Sequence, residues 1–258
     1  MSATQQILEL PARAENGGAR AVGLRCLVST PIRVLDLYSG LEGWSAPWRE
    51  RGHEIYRVEL NDRFPAEHRD VMDFEPSQMP WKPDVILASP PCTAFSVMQI
   101  GRNWTHDHQP KNDRARAGLV LLERTLWIIA QINPEIFIIE NPVGKMRRMP
   151  QLRDFERRNV TYCQYGERRM KPTDLWGGFP RGLTLKAACK NGMPCHDRAP
   201  RGSTTGTQGM DSAESAKIPK ALSLEICQAT ERVLRGANDK LCASAPKAGV
   251  ERKNDSEL

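Results

Sequence analysis

Short apolar runs recur along this chain, separated by polar turns and by stretches whose apolar residues return every three or four positions. The runs predict strands near Arg33 to Tyr38, Glu54 to Glu59, Asp84 to Ala88, Glu135 to Ile139 and Val160 to Gln164. The longest helical pattern runs from Ala115 to Ile132, where Leu119, Leu122, Leu126 and Ile129 form one apolar stripe able to pack on a sheet. Strands alternating with helices give βαβ order, and so an α/β fold of the Rossmann-like kind with helices on both sheet faces. Between Leu175 and Asp211 the periodicity gives way to Gly, Pro, Thr, Cys and Arg, which predicts a small irregular insert. Ile218-Pro219 then opens a helix to about Leu234, with Leu222, Ile226 and Val233 on one face. The expected organisation is a mobile lead-in at 1–30, a core at 31–174, an insert at 175–211, a helix returning to the core at 212–235 and a disordered polar tail at 236–258.

Composition narrows the picture. A chain of 258 residues, 40% hydrophobic and 26% charged, suffices for one α/β core with a small appendage. No apolar stretch approaches the roughly 20 residues of a membrane helix, and the opening MSATQQILEL lacks a basic, apolar leader. The expectation is a soluble, cytoplasmic monomer with no membrane partner. Seven cysteines without such a leader fit reduced thiols better than a disulfide framework. The net charge of +6 and pI near 9.0 favour a polyanionic partner.

The chemistry gathers at strand ends. Ser89-Pro90-Pro91-Cys92 follows an apolar strand, and the two prolines end that strand and set the thiol at the sheet's carboxyl edge, where α/β ligands bind. A thiolate there could add to C6 of a pyrimidine if nearby positive charge lowers its pKa. A second strand ends in Glu140-Asn141-Pro142, offering a carboxyl group to the pyrimidine N3 and exocyclic amine. Upstream, Asp36-Leu37-Tyr38-Ser39-Gly40-Leu41-Glu42-Gly43 reads as a strand opening into a small-residue turn. Glu59, about twenty residues on, is placed to accept from ribose hydroxyls. Asp73 is a candidate for an adenine amino group, with Tyr38 and Phe74 offering ring faces.

These motifs, in this order, resemble the cytosine-C5 DNA methyltransferases. The likeness rests on DLYSGLEGW (Asp36 to Trp44), Glu59, Asp73, SPPCTAFS (Ser89 to Ser96), ENP (Glu140 to Pro142) and AKIPKAL (Ala216 to Leu222), and covers most of Arg33 to Leu234. It implies S-adenosylmethionine as donor, held by Asp36, Tyr38, Ser39, Gly40, Gly43, Glu59, Asp73, Phe74 and Pro90. It also implies Cys92 as nucleophile, Glu140 as the group that activates the ring, and a cytosine flipped out of double-stranded DNA.

Three departures stand out. Glu42 occupies a position that is usually glycine. The family's glutamine-arginine motif has no clean counterpart in Cys163 to Gly177, where Arg168, Arg169 and Lys171 are the candidates. The insert is short for a region that reads sequence, which suits a site of a few base pairs. Within it, Arg198, Arg201 and Lys190 are candidate phosphate contacts. Ser96 to Arg116, carrying Arg102, Trp104, Lys111 and Arg114, reads as a mobile loop that closes over the base. Cys163, Cys189, Cys195 and His196 have the atoms for a zinc site that would staple the insert, although Cys-x5-Cys-His is an irregular spacing. The alternatives are a transfer-RNA cytosine-C5 methyltransferase using the same thiol and carboxyl, and a catalytically silent DNA-binding protein of the same fold. Methylation of an exocyclic amine fits less well, since that chemistry usually has an aromatic residue where Cys92 stands.

Overall fold

Three of the apolar runs are buried on both sides and form the centre of a sheet, as a parallel strand covered on both faces requires. In the computed structural model, which describes residues 30–190, 192–197 and 212–244, these are β1 (Arg33–Leu37), β3 (Val85–Ala88) and β4 (Ile136–Pro142). β2 (Glu54–Val58), β5 (Glu156–Thr161) and β6 (Pro172–Gly178) complete a six-stranded sheet in the order β2-β1-β3-β4-β6-β5. The first four strands are parallel, while β6 runs antiparallel to both β4 and β5. The fold is Rossmann-like.

Alternate residues enter two cores. Leu35, Leu37, Ile86, Ala88 and Ile139 face one side, where α3 (Asp113–Ile132) packs through Leu122, Ile128, Ile129 and Ile132. Val34, Val85, Leu87, Ile136 and Ile138 face the other. There α1 (Ser45–Glu50) contributes Trp48, and α5 (Lys220–Ser244) contributes Leu222, Ile226 and Ala229. Glu231 of α5 accepts from Arg51 at 2.6 Å and pairs with His53 at 3.0 Å, tying the last helix to the turn between α1 and β2. The remaining helices are short: α2 (Ile100–Asn103) and α4 (Ser212–Ala216).

Register positions the site. Leu37 pairs with Ala88, and Ala88 with Ile139, so β1, β3 and the parallel part of β4 end level. The residues that follow, Ser39, Pro90 and Glu140, therefore emerge along one edge.

The structure corrects three expected boundaries. The fifth strand is Glu156–Thr161, and Tyr162–Tyr165 is a 3-10 turn. Only its last two residues are buried, so apolar pattern located its end and missed its polar edge-strand body. The expected boundary at Leu175 falls inside β6, a strand disguised by Pro172, Asp174 and two glycines. Backbone crowding explains one of them, since a Cβ on Gly177 would lie 1.9 Å from the Phe137 carbonyl oxygen. The last helix continues past Leu234 and Gly236 to Ser244. The lead-in before Thr30, Arg198, Arg201 and residues 245–258 lie outside the described residues.

Candidate active site

The turn after β1 is held in left-handed backbone at Tyr38, Gly40 and Glu42, with φ of 63°, 47° and 55°. Three bonds fix it to the end of β2 and the residue beyond: Tyr38 N and Ser39 N donate to Val58 O at 2.8 and 3.3 Å, and Gly40 N to Glu59 Oε2 at 2.9 Å. The other oxygen of Glu59 accepts from Asn61 N at 2.8 Å. Glu42 thus sits in left-handed backbone, a conformation that favours glycine. Its carboxylate bonds both Arg49 and Arg57. Burial would raise that carboxyl, and the two guanidiniums together hold it below the usual range.

The candidate cofactor residues divide. Both Asp36 carboxylate oxygens and Ser39 Oγ are buried without a hydrogen-bond partner. Burial raises Asp36 from 3.8 to about 7. Unpartnered buried polar atoms at this edge are what a polar ligand would satisfy. Gly43 serves packing instead: a Cβ there would stand 2.5 Å from Ile218 N, so the glycine lets the segment entering α5 close over the turn. Phe74 offers no ring face, being 0% exposed between Tyr56 and His68. Tyr38 is turned toward α3, its hydroxyl bonded to Leu121 O and Thr125 Oγ1. Asp73 lies exposed on a turn, and Pro90 is buried.

Cys92 opens a 3-10 turn, Cys92–Ala94, immediately after Pro91, and is half-buried. Two contacts fix this loop. Asn141 Nδ2 donates to Pro90 O at 2.8 Å, tying the end of β4 to the prolines. Lys145 N donates to Phe95 O at 2.7 Å, and Gly144 approaches so closely that a Cβ would lie 2.3 Å from that oxygen. This cross-loop role of Asn141 needed the fold.

Glu140 is 3% exposed and accepts from Tyr162 Oη at 2.8 Å. Lys171 Nζ lies 3.7 Å from its Oε1 and 4.4 Å from the Tyr162 ring centroid. Of the three basic candidates, Lys171 is the one in the site. Arg168 is exposed and pairs with Asp197 at 2.6 Å, while Arg169 is buried and donates to the Ser215 carbonyl. Burial raises the Cys92 thiol above its ordinary value, Lys171 lowers it and Glu140 raises it again. Tyr162 escaped the sequence reading because an aromatic residue after a strand looks like any core tyrosine.

The stretch after Cys92 is pinned rather than loose. Trp104 is buried, stacks on Phe95 at 5.4 Å and donates from Nε1 to Ala94 O at 2.8 Å. Lys111 Nζ donates to Gly101 O, while Arg102, Arg114 and Lys190 are exposed. Cys163, Cys189, Cys195 and His196 converge beside Tyr162, remote in sequence and close in space.

The family model described as C-5 cytosine-specific DNA methylase matches residues 32–160. The chain is 29% identical over 221 residues, 76% of its length and 98% of the relative's, to a Frog virus 3 (isolate Goorha) protein named "Probable DNA (cytosine-5)-methyltransferase". Among solved structures it is similar to S. pombe Dnmt2 methyltransferase, with TM-score 0.40 and 16% identity, covering 57% of this chain and 50% of that one. It is also similar to Entamoeba histolytica methyltransferase EhMeth, with TM-score 0.45 and 12% identity, covering 61% and 56%. The chain thus spans about half the length of these solved relatives.

Proposed function

The chain belongs to the C-5 cytosine-specific DNA methylase family, and from that premise we propose that it methylates C5 of cytosine in double-stranded DNA, with Cys92 as nucleophile and Glu140 as the acid. The observation that supports this most is the level ending of β3 and β4, which sets Cys92 and Glu140 on one edge with Asn141 bonded across to Pro90.

In this reading the Cys92 thiolate adds to C6, its electron pair forming the C–S bond while the C5–C6 π electrons move to C5. Glu140 supplies a proton at N3, so the ring does not carry the added charge alone. When bound, S-adenosylmethionine supplies an electrophilic methyl group. C5 would take up that methyl as its bond to the donor sulfur breaks and leaves a neutral thioether; C5 then loses its proton to a base, N3 returns its proton to Glu140, and the returning electrons expel Cys92 as thiolate. Tyr162 and Lys171 hold Glu140, and Lys171 supplies the positive charge the thiolate needs. We assign to Lys171 the place of the absent arginine motif. Asp36 and Ser39 would hold the donor with their unpartnered oxygens, and Glu59 would do so with its remaining lone pairs.

The test is to incubate the protein with S-adenosylmethionine and, in parallel, unmodified duplex DNA or transfer RNA, then identify modified nucleosides by mass spectrometry. 5-Methylcytosine in DNA, lost in Cys92→Ala, is expected. Modification of transfer RNA alone would transfer the reading to an RNA substrate. Binding of DNA with no modification of either, and no covalent adduct on duplex containing 5-fluorocytosine, would leave a silent binding protein.

A further inference from the structure

The segment that follows β6 has almost no core of its own. From Pro180 to Asp197, Leu183 is the one large apolar side chain that is buried among the described residues. Yet the segment is docked on the turn that follows β5. Lys186 N donates to Tyr165 Oη at 2.8 Å, Cys189 N to Thr161 Oγ1 at 2.9 Å, and Asp197 N to Arg168 O at 2.7 Å. Small units without apolar cores usually need a crosslink.

At the centre of this docking lie three sulfurs and one imidazole nitrogen, all within 4.8 Å of one another. Cys163 Sγ is 3.1 Å from Cys189 Sγ and 3.7 Å from Cys195 Sγ. His196 Nδ1 is 3.6 Å from Cys189 Sγ and 3.5 Å from Cys195 Sγ. A tetrahedral zinc ion with Zn–S near 2.3 Å and Zn–N near 2.0 Å sets its sulfurs roughly 3.8 Å apart and its sulfur and nitrogen roughly 3.6 Å apart. The two sulfur–nitrogen distances and the 3.7 Å sulfur pair match, and the 3.1 Å pair would have to open around an ion. A disulfide needs about 2.05 Å, so the closest sulfur pair is too far apart to be one. The irregular spacing is also accounted for: His196 presents Nδ1, the nitrogen nearer the backbone, which lets neighbouring residues reach one centre. Gln164 Nε2 donates to Cys195 Sγ at 3.2 Å, the kind of outer hydrogen bond that supports a metal thiolate.

We propose that Cys163, Cys189, Cys195 and His196 bind a structural zinc ion that fastens the segment after β6 to the catalytic core. With three thiolates and one imidazole filling four positions, no coordination place is left for substrate, so the role is to hold structure. The ion bears on catalysis indirectly. Cys163 directly follows Tyr162, whose hydroxyl bonds Glu140, so the crosslink also fixes a neighbour of the acid.

Protein purified under reducing conditions without chelator should carry about one zinc per chain by elemental analysis. Refilling the stripped protein with cobalt(II) should give the visible bands of tetrahedral cobalt and a near-ultraviolet thiolate charge-transfer band. Cys195→Ser and His196→Ala should each lose most of the metal. Because such variants can misfold, the wild-type cobalt spectrum decides independently of them. Substoichiometric zinc together with an octahedral cobalt spectrum would overturn the proposal. A Cys163–Cys189 disulfide found by mass spectrometry of unreduced protein would overturn it equally.

Discussion

Replacing Lys171 with Met isolates the role assigned to this cation beside Glu140. At 3.7 Å, and at an effective dielectric constant near 20, the gross attraction between ammonium and carboxylate is about 4.5 kcal/mol. The Lys171 side chain is 13% exposed and Glu140 is nearly enclosed, so solvent screens the pair only partly. Desolvation of both ions offsets part of the attraction, and a net loss of about 2 to 3 kcal/mol is the reasonable scale for removing one partner of a buried pair. Expressed in the transition state, this lowers kcat/KM about 30- to 160-fold. The sign with pH follows from the thiol. Lys171 lowers the Cys92 pKa, so its loss moves the thiolate to higher pH and makes iodoacetamide labelling of Cys92 slower near neutrality. The assay pairs methyl-transfer kinetics with Cys92 alkylation from pH 7 to 10, using Lys171→Met and Lys171→Arg. The arginine variant should recover most of both rates, since it keeps the charge. If Lys171→Met remained within about threefold of wild type in kcat/KM and labelled at the same rate, the charge-support argument would fail.

Other consequences can be measured separately. Asp36 is raised from 3.8 to about 7, so its contribution to stability is full below 3.8 and is lost as pH rises through about 7, a swing of ~4 kcal/mol. Asp36→Asn should therefore resist urea better than wild type at pH 8 while losing S-adenosylmethionine binding by calorimetry; a variant weaker than wild type in urea at pH 8 would contradict this. Gly43→Ala should destabilise by about 2 to 3 kcal/mol because its Cβ meets the Ile218 backbone at 2.5 Å. Gly40→Ala, with open space and φ of 47°, should cost only about 1 kcal/mol in the same unfolding experiment, and the reverse ranking would refute the packing role of Gly43. Glu42→Gly should lose about 1 kcal/mol less stability than Glu42→Ala, since both lose the arginine contacts but only alanine keeps the left-handed strain. Equal unfolding midpoints would show that the strain is absent.

The sequence by itself determined the parallel half of the sheet and the two residues on which the chemistry is proposed to turn. Strands buried on both faces leave continuous apolar runs, and Pro90-Pro91 and Asn141-Pro142 mark where two of them stop, so Cys92 and Glu140 could be set on one edge without coordinates. The antiparallel half was not legible. β5 is mostly polar because it lies at the sheet edge, and β6 hides behind glycines whose need arises from neighbouring backbone. Only tertiary structure could assign the glycines in the first turn, separating Gly40, which is needed for its own φ, from Gly43, which makes room for Ile218. It alone withdrew Phe74 into the core and selected Lys171 from three neighbouring cations, because one side chain reaches Glu140 while the others are bound to Asp197 and Ser215. The cysteines and histidine show the same division: the chain names four donor atoms, but their distances come from the docking of segments that local pattern cannot bring together.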